Sequence, residues 1–418
     1  MVDGPAGLII IVDIAECMAY YGISANLITY LTGPLGQSTV AAAANVNTWV
    51  GFIWMLPVFG AVVADSFLGR FRTIIISTLI YVLGLGLPTL SVVLPSLIGP
   101  RDCLLDSNSI LCTFPSFQLL EELDLNHVYK HSGLINLMQE IQRNVNLRAH
   151  FFNWWYFGIC LGSSISRLFL TYIQDNVSWS LGFGISTLSL AVALIVFLLG
   201  TQTYRYSVKR ENENPILRIT QALINPINST KNARQCSIAQ VEDEKMTLRL
   251  VPIWISCLIY AVVFAQSTTF FVKQGNTMDR SIGTSFQIPA AALQILINVS
   301  IFIFIPLYDV PIHIIHDVFA TVGLQEFFYD QVPDSLRSIG ISLYLSVLGV
   351  GSFLSGSLIS IIEHITGGSS SHYSWFSNNL NRAHLDYFYW LLAGLSLVEL
   401  VAFLYLSTSY LYKRGTLS

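Results

Sequence analysis

The sequence predicts an all-α polytopic membrane protein built from two helical halves. Hydrophobic residues make up 53% of its 418 residues and charged residues only 11%, whereas about a quarter of a soluble domain is charged. The mean hydropathy is +0.59, and apolar segments long enough to cross a bilayer recur along the chain. A basic stretch at 201–247 separates two groups of these segments.

Ten candidate spans have the length of about 20 residues that a hydrocarbon core requires. Their approximate bounds are 6–30, 46–64, 73–98, 151–173, 179–199, 248–271, 286–307, 310–328, 339–362 and 387–410. None shows the short alternating pattern of barrel strands. The expected organisation is an N-terminal bundle at 1–200, a cytosolic basic linker at 201–247 and a C-terminal bundle at 248–418.

The number of spans conflicts with the positions of the positive charges. Arg70 and Arg72 indicate a cytosolic loop after the second span, and the linker is also basic. An even number of spans must lie between two cytosolic segments, yet only three are legible. A polar insert at 101–150 stands where a fourth helix is expected, and little more than residues 309–310 joins spans seven and eight. Each half is expected to lack one helix, unless one span is re-entrant or interfacial.

The first span carries two carboxylates at lipid depth. Asp13, Glu16, Cys17 and Tyr20 follow the spacing i, i+3, i+4 and i+7, so a helix presents them on one face. A carboxylate at the bilayer centre costs about 2.5–3.5 kcal/mol on insertion scales. The face should therefore meet protein or water, either as a proton or substrate site on a transport path or as a buried contact between helices.

A second motif lies in the loop after the second span. Gly60, Asp65, Gly69, Arg70 and Arg72 follow in that order. Glycines let helices approach closely, an acid can face a helix N-terminus, and arginines favour the cytosolic side. The pattern resembles the loop signature of the major facilitator superfamily, and the alternative is an ordinary basic turn beside the membrane.

With the first-span motif added, the chain resembles the proton-coupled oligopeptide transporter family, in its plant nitrate/peptide branch. Further segments that agree, in family order, begin at Phe151, Tyr172, Gln266, Phe286 and Val322. The resemblance implies a major-facilitator-type two-bundle fold around a central cavity, with about ten of the expected twelve transmembrane helices. It also implies alternating access, proton-driven solute uptake, and a place in the plasma membrane or the vacuolar membrane.

The chain departs from the family at its proton-coupling residues. The family's first-helix motif is acid-x-x-Glu-Arg, and here Asp13 and Glu16 match the acids while Cys17 replaces the arginine. A guanidinium would favour ionised carboxylates and give them a partner, so these acids are expected to be neutral more of the time. The family's fourth-helix lysine has no legible counterpart. Proton coupling is therefore expected to be impaired, with Asp317 in the place of the family's cavity-facing acid.

The resemblance also implies a substrate cavity. Its expected lining residues are Tyr20, Tyr21, Asn153, Trp155, Phe264 and Gln266. The nitrate-transporting archetype has a histidine where this chain has Phe264, and Ala265 replaces an acid common in peptide transporters. Both departures favour a mixed aromatic and polar organic solute over nitrate or simple dipeptides. Taken singly, such aromatics are also consistent with helix packing.

Other intramembrane groups lead to weaker interpretations. His313, His316 and Asp317 have a spacing that can present metal ligands together. No further histidine at lipid depth completes such a site, so neither a metal nor a cofactor is expected. Arg167 should either extend outward to the membrane surface or pair within the bundle.

Three hypotheses about function follow. The first is a secondary transporter of a small solute, with protons and the bilayer as its other partners. The second is a non-transporting shortened isoform or relic that associates with full-length relatives. The third is a membrane-embedded metal enzyme, and only His313 and His316 support it. The net charge of −4, spread between apolar segments, gives no sign of a nucleic-acid partner.

Overall fold

The structure is a computed structural model in which helices form most of the described chain. It describes residues 4–63, most of 72–86, 157–200, 250–283, 286–296, a few positions between 324 and 332, 337–367, 374–378 and 383–409. Five of the described helices are long and apolar enough to cross a membrane. This agrees with the predicted all-α membrane class, and the number of crossings stays a prediction.

The N-terminal half contains six described helices. They are α1 (Gly4–Ser24), α2 (Leu27–Thr32), α3 (Thr39–Val63), α4 (Ile75–Gly84), α5 (157–176) and α6 (Trp179–Leu199). The candidate span at 6–30 is divided between two helices, because α1 ends at Ser24 and α2 begins at Leu27. The predicted second span, 46–64, begins too late in the chain. Its helix starts at Thr39, where the Ser38 hydroxyl accepts a hydrogen bond from the Ala41 amide at 3.2 Å.

The C-terminal half contains three long described helices and a short connection. The helices are α7 (Val251–Gly275), α8 (Arg337–Thr366) and α9 (Leu385–Ser409). Between α7 and α8, β1 (Ser281–Ile282) pairs antiparallel with β2 (Phe286–Gln287), and a 3-10 turn covers Ala290–Gln294. The predicted span at 286–307 was therefore wrong at its start, since its first residues form a strand and a turn.

Helix α1 packs closely against α5. The Ser166 hydroxyl donates a hydrogen bond to the Met18 carbonyl at 2.9 Å. A Cβ on Gly162 would lie only 2.6 Å from the Ile14 carbonyl oxygen, so glycine at this position allows the two backbones to touch. Small residues at helix contacts stabilise membrane proteins by permitting this close approach.

The order of contacts gives the direction of neighbouring helices. Met18 and then Gly22 of α1 meet Ser166 and then Gln174 of α5, so these two helices run parallel.

The two halves meet along α3 and α8. A Cβ on Gly51 would lie 2.8 Å from the Phe353 ring, and one on Gly349 would lie 3.0 Å from the Gly51 carbonyl oxygen. Glycines on both helices therefore bring the two backbones into contact. Among the described residues, the two halves are in their most extensive contact at this crossing.

Hydrogen bonds also join the halves at the end of the molecule away from the basic linker. The donor–acceptor pairs are Lys273 Nζ to Thr32 Oγ1 at 3.1 Å, Gln294 Nε2 to the Ala25 carbonyl at 3.3 Å, and the Thr39 amide to Asn378 Oδ1 at 2.8 Å. Stacked rings of Phe270 and Phe376, 4.8 Å apart, pack beside them. This end of the described structure is closed.

Candidate functional site

The candidate site begins at the carboxylates of α1. Asp13 is only 4% exposed, whereas Glu16 is half-buried. Asp13, Cys17 and Tyr21 are spaced i, i+4 and i+8, and this stripe turns toward α5. The carboxyl group of Asp13 thus lies among helices and away from lipid, as the sequence led us to expect.

Tyr20 belongs to a different part of the α1 surface. Its ring stacks on Trp49 of α3 with centroids 6.1 Å apart and meets Trp54 edge-on at 6.2 Å. The face predicted from the spacing of Asp13, Glu16, Cys17 and Tyr20 is therefore divided between two neighbouring helices. Tyr20 and Tyr21 still touch, with ring centroids 4.9 Å apart.

Arg167 of α5 faces the acidic stripe of α1. Its side chain is 6% exposed, and its Cζ atom lies 4.2 Å from the centroid of the Tyr21 ring. A cation over an aromatic face is worth about 2 kcal/mol when desolvated. Of the two alternatives for Arg167, pairing within the bundle is confirmed and extension to the membrane surface is wrong.

A π turn at Ser166–Leu170 carries Arg167. A π turn adds one residue to a helical turn, which changes the direction of the side chains on it, and such turns are frequent at functional sites. The segment Ser-Arg-Leu-Phe-Leu contains neither proline nor glycine, so its sequence gives no sign of the irregularity.

The groups around Arg167 form a compact polar cluster at lipid depth. Cys17 lies within electrostatic range of Asp13, Cys160 and Arg167, and Cys160 lies within range of Arg167. Both thiols are free. We name Asp13, Cys17, Tyr21, Cys160 and Arg167 the acid–guanidinium cluster. Chemically the cluster combines a carboxyl group, two thiols, a phenol and a permanently charged guanidinium.

Gln266 of α7 lies in a buried network that crosses between the halves. Its Nε2 atom donates a hydrogen bond to Ser355 Oγ of α8 at 2.8 Å. The same hydroxyl oxygen accepts a second hydrogen bond, from Asn47 Nδ2 of α3, at 3.0 Å. Gln266 is 6% exposed, while Ser355 and Asn47 are fully buried. Phe264, two residues earlier, is 40% exposed on the other side of α7. The structure thus separates these two predicted cavity residues.

Removing the central hydroxyl of this network is expected to destabilise the contact between the halves. Ser355→Ala leaves the buried amides of Asn47 and Gln266 without the oxygen that both use, and each such loss costs about 1–3 kcal/mol. We expect a melting temperature lower by several degrees in detergent. Ser357→Ala, on the exposed side of α8, is the matched control. Equal melting temperatures for the two variants would contradict this prediction.

The remaining predicted site residues are partly described. Gly60 is buried and Arg72 is exposed. Outside the described residues lie Asp65, Gly69, Arg70, Asn153, Trp155, His313, His316 and Asp317. In the described ranges, no group of three or more His, Cys, Asp or Glu side chains is placed to hold a metal ion.

The sequence did not single out three of the residues that the structure brings together. Cys160, Asn47 and Ser355 are ordinary residues of apolar helices when they are read singly. The one available signal was Arg167, since an arginine within a span is costly and needs a partner.

Comparison with known proteins places this architecture in a family. The POT family model matches residues 137–235 and 214–313. Protein NRT1/PTR FAMILY 5.10 of Arabidopsis thaliana is 42% identical, covering 98% of this chain and 93% of the relative. Protein NRT1/PTR FAMILY 5.11 of the same plant is 39% identical, covering 98% of this chain and 94% of the relative.

Solved structures agree on the fold. An auto-inhibited POT family peptide transporter superposes with a TM-score of 0.74 at 15% identity, covering 99% of this chain and 98% of that one. The POT family transporter PepTSo also gives 0.74, at 16% identity, covering 97% and 98%. These two structures show that the chain has the fold of POT transporters. The plant relatives show that it belongs to the POT family, among the NRT1/PTR proteins, which is a family of integral membrane solute transporters and not of enzymes.

The alignment with the first relative is longer than this chain. It runs over 524 positions. The aligned 98% of this chain is about 410 residues, so on the order of 110 aligned positions of the relative have no counterpart here. That number is larger than the length of two membrane spans of about 20 residues each. The relatives thus contain internal sequence that this chain lacks.

Proposed function

We propose that this chain moves a small organic solute across its membrane by alternating access, with weak coupling to protons. The observation that carries the proposal is the burial of Asp13 between helices at lipid depth, in a member of a solute-transporter family. A buried carboxyl group in the bilayer is costly and marks a path for ions or substrate more often than a passive contact.

The contacts between the halves support alternating access. At the closed end the halves are joined by single hydrogen bonds, such as Lys273 to Thr32 and Gln294 to the Ala25 carbonyl. Each hydrogen bond contributes only about 1 kcal/mol net, so a few of them can be exchanged for contacts at the opposite end. Opening this end would break these hydrogen bonds between the halves.

The proton step is assigned to Asp13, with Glu16 and Asp317 as further acids. A carboxylate is costly at lipid depth, and a proton bound from the medium would remove its charge. Cys17 stands where the family's arginine would be, and the fourth-helix lysine has no legible match. Coupling is therefore weaker than the family motif alone would give.

The substrate class follows from the aromatic and polar groups near α1. Tyr20, Trp49 and Trp54 offer stacked and edge-on rings, and Tyr21, Asn153, Trp155, Phe264 and Gln266 remain the other proposed contacts. The absence of a histidine at Phe264 and of an acid at Ala265 favours an aromatic and polar organic solute. The site of action is the plasma membrane or the vacuolar membrane.

Uptake measurements in oocytes test the proposal directly. Oocytes that express the chain at their surface should accumulate at least one solute of a broad panel that includes plant hormones and specialised metabolites. Uptake should rise modestly from neutral to acidic medium. Water-injected oocytes give the background, and surface expression without uptake of any solute would contradict the proposal.

A second candidate function is a non-transporting shortened isoform that associates with full-length relatives. The unmatched aligned positions support it, because they are expected if spans are absent. Transcript reads provide a direct test. Reads that join the helices flanking 101–150 and 309–310 through additional coding sequence would remove the basis of this alternative.

Restoring one family residue should not restore strong coupling. We expect Cys17→Arg to leave proton-driven uptake no higher than in the wild-type chain, because the lysine helix is still missing and a new guanidinium would lie beside Arg167. Solute uptake across a pH series in oocytes measures this. Strong new acid stimulation in the single variant would contradict the prediction.

A further inference from the structure

We propose that Asn47, where the two halves meet, binds an uncharged hydroxyl group of the solute. This inference rests on the proposed function and deepens it, because it names the chemical group that the network of Asn47, Ser355 and Gln266 recognises. Its basis is one amide atom of Asn47 that is fully buried and has no hydrogen-bond partner among the described residues.

The unpaired atom follows from the hydrogen bonds of the network. Asn47 Nδ2 donates to Ser355 Oγ at 3.0 Å, and Asn47 Oδ1 has no partner in the described structure. Gln266 Nε2 donates one proton to the Val262 carbonyl at 2.9 Å and the other to Ser355 Oγ at 2.8 Å. The Ser355 oxygen is therefore fixed as an acceptor for Gln266, and it meets only one of the two polar atoms of the Asn47 amide.

Turning the Asn47 amide over does not remove the unpaired atom. A rotation by half a turn exchanges oxygen and nitrogen, and the Ser355 hydroxyl can then donate to the oxygen, which leaves the nitrogen unpaired. A buried polar group without a partner is costly, and a new hydrogen bond recovers that cost. One hydroxyl oxygen both donates and accepts, so it can pair with Asn47 in either orientation. Nitrate only accepts, and an ammonium group only donates.

The network itself consists of uncharged side chains. Besides Asn47, Ser355 and Gln266 it includes Thr269, whose hydroxyl donates to Gln266 Oε1 at 3.4 Å. All four residues are buried. Burying an ionised group beside them would be far more costly than burying a hydroxyl, because no opposite charge in the network would pair with it. The network therefore favours an uncharged group over a carboxylate or nitrate.

The network lies near the middle of the membrane. At about 1.5 Å per residue, Asn47 is about 12 Å along α3 from Thr39, and Gln266 is about 14 Å along α7 from Gly275. Both distances are close to half of a hydrocarbon core about 30 Å thick. Helix α7 changes to a 3-10 turn at Ala265–Thr268. Secondary transporters bind their substrates at this depth, commonly beside interrupted helices.

Other polar side chains near Asn47 are paired or face elsewhere. Ser352 of α8 and Thr48 of α3 each donate to the carbonyl group four residues earlier in their own helix, at 2.9 and 2.8 Å. Trp49 Nε1 also has no partner in the described structure, but its ring stacks on Tyr20 of α1 and so belongs to a different surface of α3. Within the described part of this crossing, Asn47 is the polar side chain that can bind a ligand.

A solute can reach Asn47 when the two halves separate. A Cβ on Gly356 of α8 would lie 3.4 Å from the Asn47 Cβ atom, so the two helices pass close to each other at this level. Asn47 belongs to the N-terminal half and Ser355 to the C-terminal half. A hydroxyl group between them can therefore contact both halves, and a ligand that does so favours their approach.

Binding to the purified chain in detergent tests the proposal without requiring transport. The probes are phenyl β-D-glucoside and phenyl β-D-glucuronide, in which a carboxylate replaces the hydroxymethyl group. Their phenyl ring suits the aromatic side chains near α1. The glucoside should raise the melting temperature of the wild-type chain as its concentration rises, because a ligand that binds the folded state stabilises it. The glucuronide should bind at least about tenfold more weakly.

The substitution Asn47→Leu separates recognition from packing. Leucine has the branched shape of asparagine with methyl groups in place of the amide atoms, so affinity for the glucoside should fall about tenfold. The melting temperature without ligand should change by no more than a few degrees, since the unpaired atom is lost together with the bond to Ser355. Asn45→Leu is the control and should bind as the wild type does, because Asn45 pairs with Gln37 at 3.1 Å. Asn47→Ala replaces the leucine variant if that variant does not fold.

Three results would overturn the proposal. The wild-type chain could show no stabilisation by the glucoside, or the Asn47→Leu variant could bind it as tightly as the wild type. Either result would show that Asn47 does not bind a hydroxyl group of a solute. Equal affinity for the glucuronide and the glucoside would contradict the preference for an uncharged group.

Uptake in oocytes keeps this proposal distinguishable from the proposed function. Binding of the glucoside that depends on Asn47, in a chain that takes up no solute, would support this site and contradict transport. Uptake of another solute at the same rate in Asn47→Leu and the wild type, without binding of the glucoside, would contradict this site and leave the proposed function standing.

Discussion

Gly351→Leu is expected to prevent the chain from reaching a monodisperse folded state. Gly351 of α8 lies against Ala261 of α7, and a Cβ at this position would clash with the Ala261 side chain and lie 3.0 Å from its carbonyl carbon. Backbone atoms cannot turn aside as a flexible side chain can. Overpacking costs typically about 1–3 kcal/mol and occasionally more, and leucine adds further atoms beyond Cβ.

Size-exclusion chromatography of a fluorescent fusion in detergent measures this effect. The Gly351→Leu peak should shift to the void volume or vanish at an expression level where the wild-type chain gives a symmetric peak. Gly394→Leu on α9 is the matched control, because a Cβ there meets nothing within 4 Å. A symmetric Gly351→Leu peak with the wild-type melting temperature would show that α7 and α8 do not depend on this contact.

Asp13→Asn should abolish whatever acid stimulation of uptake the chain possesses. Asparagine has nearly the shape of a protonated aspartic acid, and Asp13 is buried, so the substitution mimics the proton-bound state permanently. Uptake at acidic and neutral pH should then become equal, while the fold is retained. Because coupling is weak, the ratio of acidic to neutral uptake that is lost should be below tenfold, which corresponds to less than about 1.4 kcal/mol.

The control for this experiment is Asp386→Asn at the exposed start of α9. It removes the same charge from a carboxyl group in water, so its uptake should keep the wild-type dependence on pH. Persistent acid stimulation in Asp13→Asn would exclude Asp13 from the proton step. Glu16 or Asp317 would then be the carboxyl group to test next.

Much of the architecture was predictable because bilayer length and hydropathy are strong constraints. The predicted span 179–199 coincides with Trp179–Leu199, and the span 387–410 differs by two residues at its start from Leu385–Ser409. The start of α3 was missed because its first turns contain mainly alanine, threonine and asparagine, which are less hydrophobic than the residues that follow.

The site was predictable only in part, because spacing gives a face but not the neighbour that covers it. The spacing correctly brought Asp13 and Cys17 together, but it did not reveal that Tyr20 turns to α3. Arg167 required knowledge of the π turn, which depends on packing between α1 and α5 and leaves no mark in the local sequence. Ser355 lies 89 residues from Gln266 and 308 residues from Asn47, its two hydrogen-bond partners, beyond what any local pattern can indicate.

The glycine crossing of α3 and α8 has a mechanical consequence. The Phe353 side chain of α8 packs on Gly51, and the Met55 side chain of α3 packs on Gly349. Each helix thus places a large side chain in the gap that a glycine leaves on the other. A change of angle between the two helices must therefore begin by withdrawing these two side chains, so the crossing resists tilting as well as separation.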